Sequence, residues 1–155
     1  MDLILWRHAQ AFDGTPDLDR QLTRKGQRQA QKMADFLKPR LPKHTVIWTS
    51  EAQRSIETAA CLNAHTHIKS ALNPDGDYQA ILPLLLTQHQ HCLLIVGHQP
   101  WLGQVWAHCM GLNNQGEDYW TIKKGGVVWL KLQMHLEALD CQLVAALAPN
   151  FLDGV

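Results

Sequence analysis

The chain has 155 residues and a mass of 17.5 kDa, room for one domain with a sizeable core, which excludes a disulfide-stapled miniprotein and disfavours two full domains. Its 14 Lys plus Arg balance 14 Asp plus Glu, so the formal charge is zero and a nucleic-acid partner is disfavoured. Hydrophobic residues at 46% and charged residues at 18% describe a compact globular protein rather than a disordered one, and a single domain is expected over residues 1–155.

Short apolar runs alternate with helical patterns, the signature of a parallel sheet with helices on its faces. Leu3, Ile4, Leu5 and Trp6 predict a fully buried first strand. Residues 23–38 place Ala30, Met33, Ala34 and Leu37 at helical spacing, and Pro39 and Pro42 stop that helix. Thr45, Val46, Ile47 and Trp48 predict a second strand. Residues 51–64 predict a second helix with Ala52, Ile56, Ala59 and Ala60 inward, and Ser50 with Gln53 has the spacing of a capping box. A weak third strand is expected near residues 67–71. Tyr78, Ile81, Leu82 and Leu85 keep a helical period that Pro83 should kink or restart.

Residues 92–96 are the clearest strand, followed by Gly97-His98-Gln99-Pro100 and a helix with Leu102, Val105, Trp106 and Cys109 inward and Gly111 at its C-terminal cap. Residues 127–132 and 141–148 predict late strands joined by a hairpin-like polar connection at one edge of the sheet. The expected fold is an α/β three-layer sandwich, a mostly parallel central sheet with helices on both faces and a late antiparallel edge strand.

Cys61, Cys92, Cys109 and Cys141 form no C-x-x-C pair and sit in apolar stretches, which predicts buried free thiols in a reducing cytosol. Residues 1–6 lack the charged start and apolar length of a signal peptide, and no apolar run approaches a membrane span. A cytoplasmic protein without a membrane partner is expected.

Open parallel sheets bind ligands beyond the carboxyl ends of their strands. Arg7 and His8 follow the first strand, Arg54 lies one turn into the helix after the second, and His98 follows the strand at residues 92–96. Two guanidiniums and two imidazoles converging on one edge repel unless an anion joins them, and a phosphoryl group supplies that anion. Arginine offers a permanently charged fork matched to two phosphate oxygens. Neutral imidazole can be a nucleophile, and a second imidazole can donate to a phosphoryl oxygen. With arginines carrying the positive charge, no metal or other cofactor is required.

Leu5-Trp6-Arg7-His8-Ala9 resembles the R-H-G signature of the histidine phosphatase, or phosphoglycerate mutase-like, superfamily. Further matches are residues 22–26 (Leu-Thr-Arg-Lys-Gly), residues 49–54 (Thr-Ser-Glu-Ala-Gln-Arg) with Thr58, and residues 96–100 (Val-Gly-His-Gln-Pro). Their order and spacing resemble the small SixA-type branch, the protein phosphohistidine phosphatases, across nearly the whole chain. The resemblance implies a fold without a lid domain, His8 as a nucleophile that is transiently phosphorylated, and a phosphate pocket completed by Arg7, Arg54 and His98. It implies a phosphohistidine-containing protein, such as a phosphotransfer domain of a signalling relay, as partner and substrate. The alternatives are a small phosphorylated substrate, such as a sugar or nucleotide phosphate, and a phosphate-binding module without turnover. In this reading Ser50 is a cap, Thr58 packs, and Gly26 permits close helix packing.

Two departures from the pattern stand out. Ala9 replaces the usual glycine, adding a methyl beside the nucleophile. Many members carry a glutamate after the third strand as proton donor, whereas residues 69–77 hold none, and Asp75 and Asp77 flank Gly76 as a turn and helix cap would. His65 with His67 and His89 with His91 suit solvated loops better than metal ligands. Trp101 fits the apolar stripe of its helix. Arg20, Arg24, Lys25, Arg28 and Lys32 suit a solvated face on which an acidic protein could dock.

Overall fold

The computed structural model describes residues 1–112, 119–136 and 138–154. Six strands form one sheet: β1 (Asp2–Arg7), β2 (Val46–Thr49), β3 (His67–Ile68), β4 (Cys92–Gly97), β5 (Val127–His135) and β6 (Ala138–Leu147). Their order is β3-β2-β4-β1-β5-β6. The first four pair in parallel, while β5 runs antiparallel to β1 and β6 antiparallel to β5. The late edge is therefore a pair of strands. Both are longer than their apolar runs, because the polar residues between those runs remain in the ladder, where Gln133 pairs with Asp140 and His135 with Ala138.

Helices α1 (Arg24–Leu37) and α2 (Gln53–Ala60) cover one face, and α3 (Tyr78–Leu86) and α4 (Trp101–Cys109) the other. The division follows from strand alternation. On β1, Ile4 and Trp6 join Ala30, Met33, Ala34 and Leu37 of α1, while Leu3 and Leu5 join Ile81 and Leu85 of α3 and Leu102 and Val105 of α4. Fully burying a Leu, Ile or Met side chain contributes about 1.5–3 kcal/mol, so these two layers anchor β1 from both sides.

The start of α1 combines a cap that the sequence analysis did not single out with the close packing expected at Gly26. The Thr23 side chain accepts from the Gly26 backbone N–H at 3.0 Å and caps the helix. A Cβ at Gly26 would lie 1.9 Å from the Gln10 carbonyl oxygen, so glycine is required where α1 meets the segment following β1. Pro83 lies within α3, and Gly111 takes a φ of +87° just past α4.

The second helix departs from its prediction. It ends at Ala60, Ala60 is exposed, and Ile56 is only half-buried. Its buried residues are Arg54, Ser55, Thr58 and Ala59, three of them polar. Hydrophobic periodicity misplaces this inner face because the helix turns hydrogen-bonding groups, not only apolar ones, toward the end of the sheet. The capping box is also absent. Ala52 is the N-cap and has no side-chain oxygen to cap with, while Ser50 lies two residues ahead of it and its hydroxyl meets the Ala52 N–H and His98. All four cysteines are free, but only Cys92 and Cys109 are buried; Cys61 and Cys141 are half-buried.

Candidate active site

The carboxyl ends of β1, β2 and β4 are aligned, with Arg7 opposite Gly97 and Thr49 opposite Val96. His8 continues from β1 and is held at its backbone. Its N–H donates to the Gly97 carbonyl at 3.0 Å, and the Gly125 N–H donates to its carbonyl at 3.1 Å. Gly125 has a φ of +72°, a conformation that costs glycine little and other residues more. Gly97 is constrained from beneath, since a Cβ there would come within 2.3 Å of the Trp101 ring. Trp101 packs in the core, as its stripe predicts.

His8 is 8% exposed, and burial pushes the pKa of its ring down to about 3. The hydrogen bond to the Ala9 carbonyl opposes this shift, while the Arg54, Arg7 and Lys124 cations reinforce it. His8 is therefore neutral at neutral pH. Its Nδ1 lies 2.8 Å from the Ala9 carbonyl oxygen, which can only accept. The ring proton is thereby assigned to Nδ1, and the lone pair is left on Nε2.

His98 is 2% exposed, and its ring centroid lies 5.0 Å from that of His8 at 49°. Burial first, and then the charges of His8 and Arg54, push its pKa down to about 2. Its Nε2 lies 2.7 Å from Ser50 Oγ and 3.2 Å from Ser55 Oγ. Ser50 Oγ also accepts from the Ala52 N–H at 3.2 Å, and in the tautomer in which Nε2 accepts from the serine hydroxyls the His98 proton sits on Nδ1. Ser50 thus orients an imidazole, a correction to its expected role as a cap.

Arg54 is 3% exposed and gives its two terminal nitrogens to Asp17, at 2.8 Å to the carbonyl and 3.0 Å to Oδ2. Hydrogen bonds from Arg20 and then Arg54 hold the Asp17 carboxyl below its usual range. Arg7 donates from one terminal nitrogen to the Ile122 carbonyl at 2.8 Å. Six buried side-chain polar atoms have no partner among the described residues, and three of them are Arg7 Nε, Arg54 Nε and His98 Nδ1. Unpaired buried donors are costly, and the two arginine Nε–H groups, joined by His98 Nδ1 when it carries its proton, can each donate to an anion beside the neutral His8.

Arg7, His8, Arg54 and His98 thus share one end of the sheet. Ser50, Ser55, Asp17 and Lys124 join them although the sequence analysis assigned none of them there. Asp17 opens a one-turn 3-10 helix (Asp17–Asp19) and Lys124 stands in a turn before β5, and neither short segment carries a periodic signal. Ser50 and Ser55 are legible only once β2 and β4 are known to be neighbours.

The Ala9 methyl is buried in the core on the α1 side, and its N–H donates to Thr58 Oγ1 at 3.1 Å. Thr58 therefore acts through a hydrogen bond rather than through packing alone. Asp77 caps α3 by accepting from the Gln79 N–H at 3.0 Å, and Asp75 is exposed. His65 and His67 are exposed and stack edge to face, and His89 and His91 are also exposed. Arg20 lies outside α1 and binds the Phe12 carbonyl and Asp17, so it is not part of that helix's solvated face.

The two rings make stability depend on pH. An unfolded histidine takes up a proton near its ordinary value of 6.5, whereas folded His8 and His98 resist protonation until about 3 and about 2. Over that interval the unfolded state binds more protons, so stability falls as pH falls, by up to about 1.4 kcal/mol per pH unit for each ring. Thermal melts between about pH 7 and pH 4 should show a steadily falling midpoint, with a shallower slope in a His98→Asn variant. An identical slope in that variant would remove His98 from the account.

Residues 3–75 match the profile of the histidine phosphatase superfamily, branch 1. An uncharacterised protein of Picosynechococcus sp. is 30% identical over 168 residues, covering 98% of this chain and 99% of that protein. The structure of the protein histidine phosphatase SixA complexed with tungstate superposes with a TM-score of 0.79 at 23% identity, covering 98% of this chain and 99% of that one. A phosphoserine phosphatase mutant from Entamoeba histolytica, in complex with phosphoserine, superposes with a TM-score of 0.70 at 14% identity, covering 94% and 95%. Among the described residues, no helix is long and apolar enough to cross a membrane.

Proposed function

Since the chain belongs to the histidine phosphatase superfamily, we propose that it is a metal-independent phosphatase that works through a covalent phosphohistidine on His8. The observation that carries this reading is the neutral His8 ring, its Nδ1 tied to the Ala9 carbonyl, beside the unpartnered Arg7 Nε, Arg54 Nε and His98 Nδ1. His8 Nε2 attacks phosphorus in line as the bond to the leaving group breaks. The arginines and His98 Nδ1–H meet charge on the equatorial oxygens, where positioning and electrostatics dominate this chemistry. Water then attacks the phosphorus of phosphorylated His8, the P–N bond breaks, and free phosphate and neutral His8 are released.

The proposed substrate is a phosphohistidine on a protein. The similarity in fold to a protein histidine phosphatase supports this choice, as does residues 69–77 holding no glutamate while Asp77 is committed to capping α3. The second reading, a small-molecule phosphomonoesterase, draws on the similarity in fold to the phosphoserine phosphatase. The four free thiols suit a reducing cytoplasm, where we place the protein.

Brief exposure to a labelled phosphohistidine protein should trap an acid-labile phosphoenzyme, and failure to form one would count against the covalent path. Chelators should leave turnover unchanged, and tungstate or vanadate should inhibit competitively, because a five-coordinate oxyanion resembles the transition state. Activity lost on chelation and restored by one divalent metal would replace the arginines with a metal as the source of positive charge.

A further inference from the structure

A cleft of about 750 Å³ opens beside the phosphate pocket and shares Arg7 with it. Five more cations line it: Lys25, Arg28 and Lys32 from α1, and Lys123 and Lys124 from the segment before β5. Its one acidic lining residue, Asp153, is paired with Lys32. Lys25, Arg28, Lys123 and Lys124 are exposed, and none of them forms an ion pair among the described residues. The whole chain is electrically neutral, so this concentration is not a by-product of a basic composition.

Lys25, Arg28 and Lys32 stand at intervals of three and four residues on one helix, a row about 10 Å long at 1.5 Å rise per residue. One additional phosphate reaches only part of such a row. A segment with carboxylates at the same helical intervals matches it along its length, and Lys123 and Lys124 add cations to the same cleft. We propose that the cleft docks an acidic helical segment of the phosphorylated protein and so presents the histidyl phosphate to His8. This docking role rests on the protein-phosphohistidine reading above.

The test compares three probes: a histidine-phosphorylated peptide with glutamates at helical spacing beside the phosphorylated residue, the same peptide with glutamines there, and free phosphohistidine. At low salt the wild type should favour the glutamate peptide over the glutamine peptide by about 10-fold or more in kcat/KM, chiefly through KM. That preference should vanish in about 0.5 M salt and in a Lys25→Glu/Arg28→Glu variant, while turnover of free phosphohistidine stays unchanged. Equal handling of the two peptides by the wild type, or a preference that survives in the variant, overturns the docking role and leaves the proposed function standing. An equal loss on free phosphohistidine also overturns it, by showing that these cations act on the phosphoryl group itself. A wild type inert toward all three probes overturns the proposed function, and the docking role with it.

Discussion

Replacing His8 with alanine should lower turnover by at least about 10⁴-fold and abolish the trapped phosphoenzyme, because the imidazole nitrogen that takes the phosphoryl group is gone. The fold should survive. The backbone bonds of His8 to Gly97 and Gly125 do not involve its side chain, which bonds to the neighbouring Ala9 carbonyl. The variant also loses a ring that resists protonation, so its melting midpoint should fall less steeply in acid than that of the wild type. Circular dichroism and thermal melts check the fold, and single-turnover assays with labelled substrate check the chemistry. Wild-type turnover by a folded His8→Ala protein would end the covalent mechanism.

The order of substrates should follow the leaving group: phosphohistidine first, then an aryl phosphate, then an alkyl or sugar phosphate in kcat/KM. An alkoxide is a strong base that needs a proton as the P–O bond breaks, and a positioned general acid is worth typically about 10²–10⁴-fold. The imidazole of phosphohistidine can take its proton from solvent on the distal nitrogen and leave as a neutral base. A phenoxide, stabilised by its ring, lies between the two. Asp77 is bound to the Gln79 N–H and Asp75 is exposed, so Asp75→Asn and Asp77→Asn should barely change phosphohistidine turnover. A panel of kcat/KM values decides the matter. A sugar phosphate as best substrate, lost selectively in either aspartate variant, would make that aspartate the acid and favour the small-molecule reading.

The sequence alone determined the layers of the fold and the four residues at its chemical edge. Apolar strands alternating with amphipathic helices have few ways to bury both faces of a parallel sheet, so β1, β2 and β4 were legible from composition and period. Arg7 ends β1, His8 and His98 follow β1 and β4, and Arg54 lies in the first turn of α2, so all four could be placed at the sheet's edge from their places after apolar runs. Tertiary structure decided which side chains hold them. Ser50 and Ser55 reach His98 because β4 inserts beside β2, and Asp17 reaches Arg54 from its one-turn 3-10 helix. Hydrophobic periodicity cannot report such contacts, because it registers burial of apolar surface and misses polar groups buried with a partner. That blindness misplaced the inner face of α2, where Arg54, Ser55 and Thr58 are buried and Ala60 is exposed. The protonation states were likewise decided by the fold. His8 and His98 are neutral because burial withholds the water that would solvate their charge, and that burial exists only once β1 and β4 lie side by side.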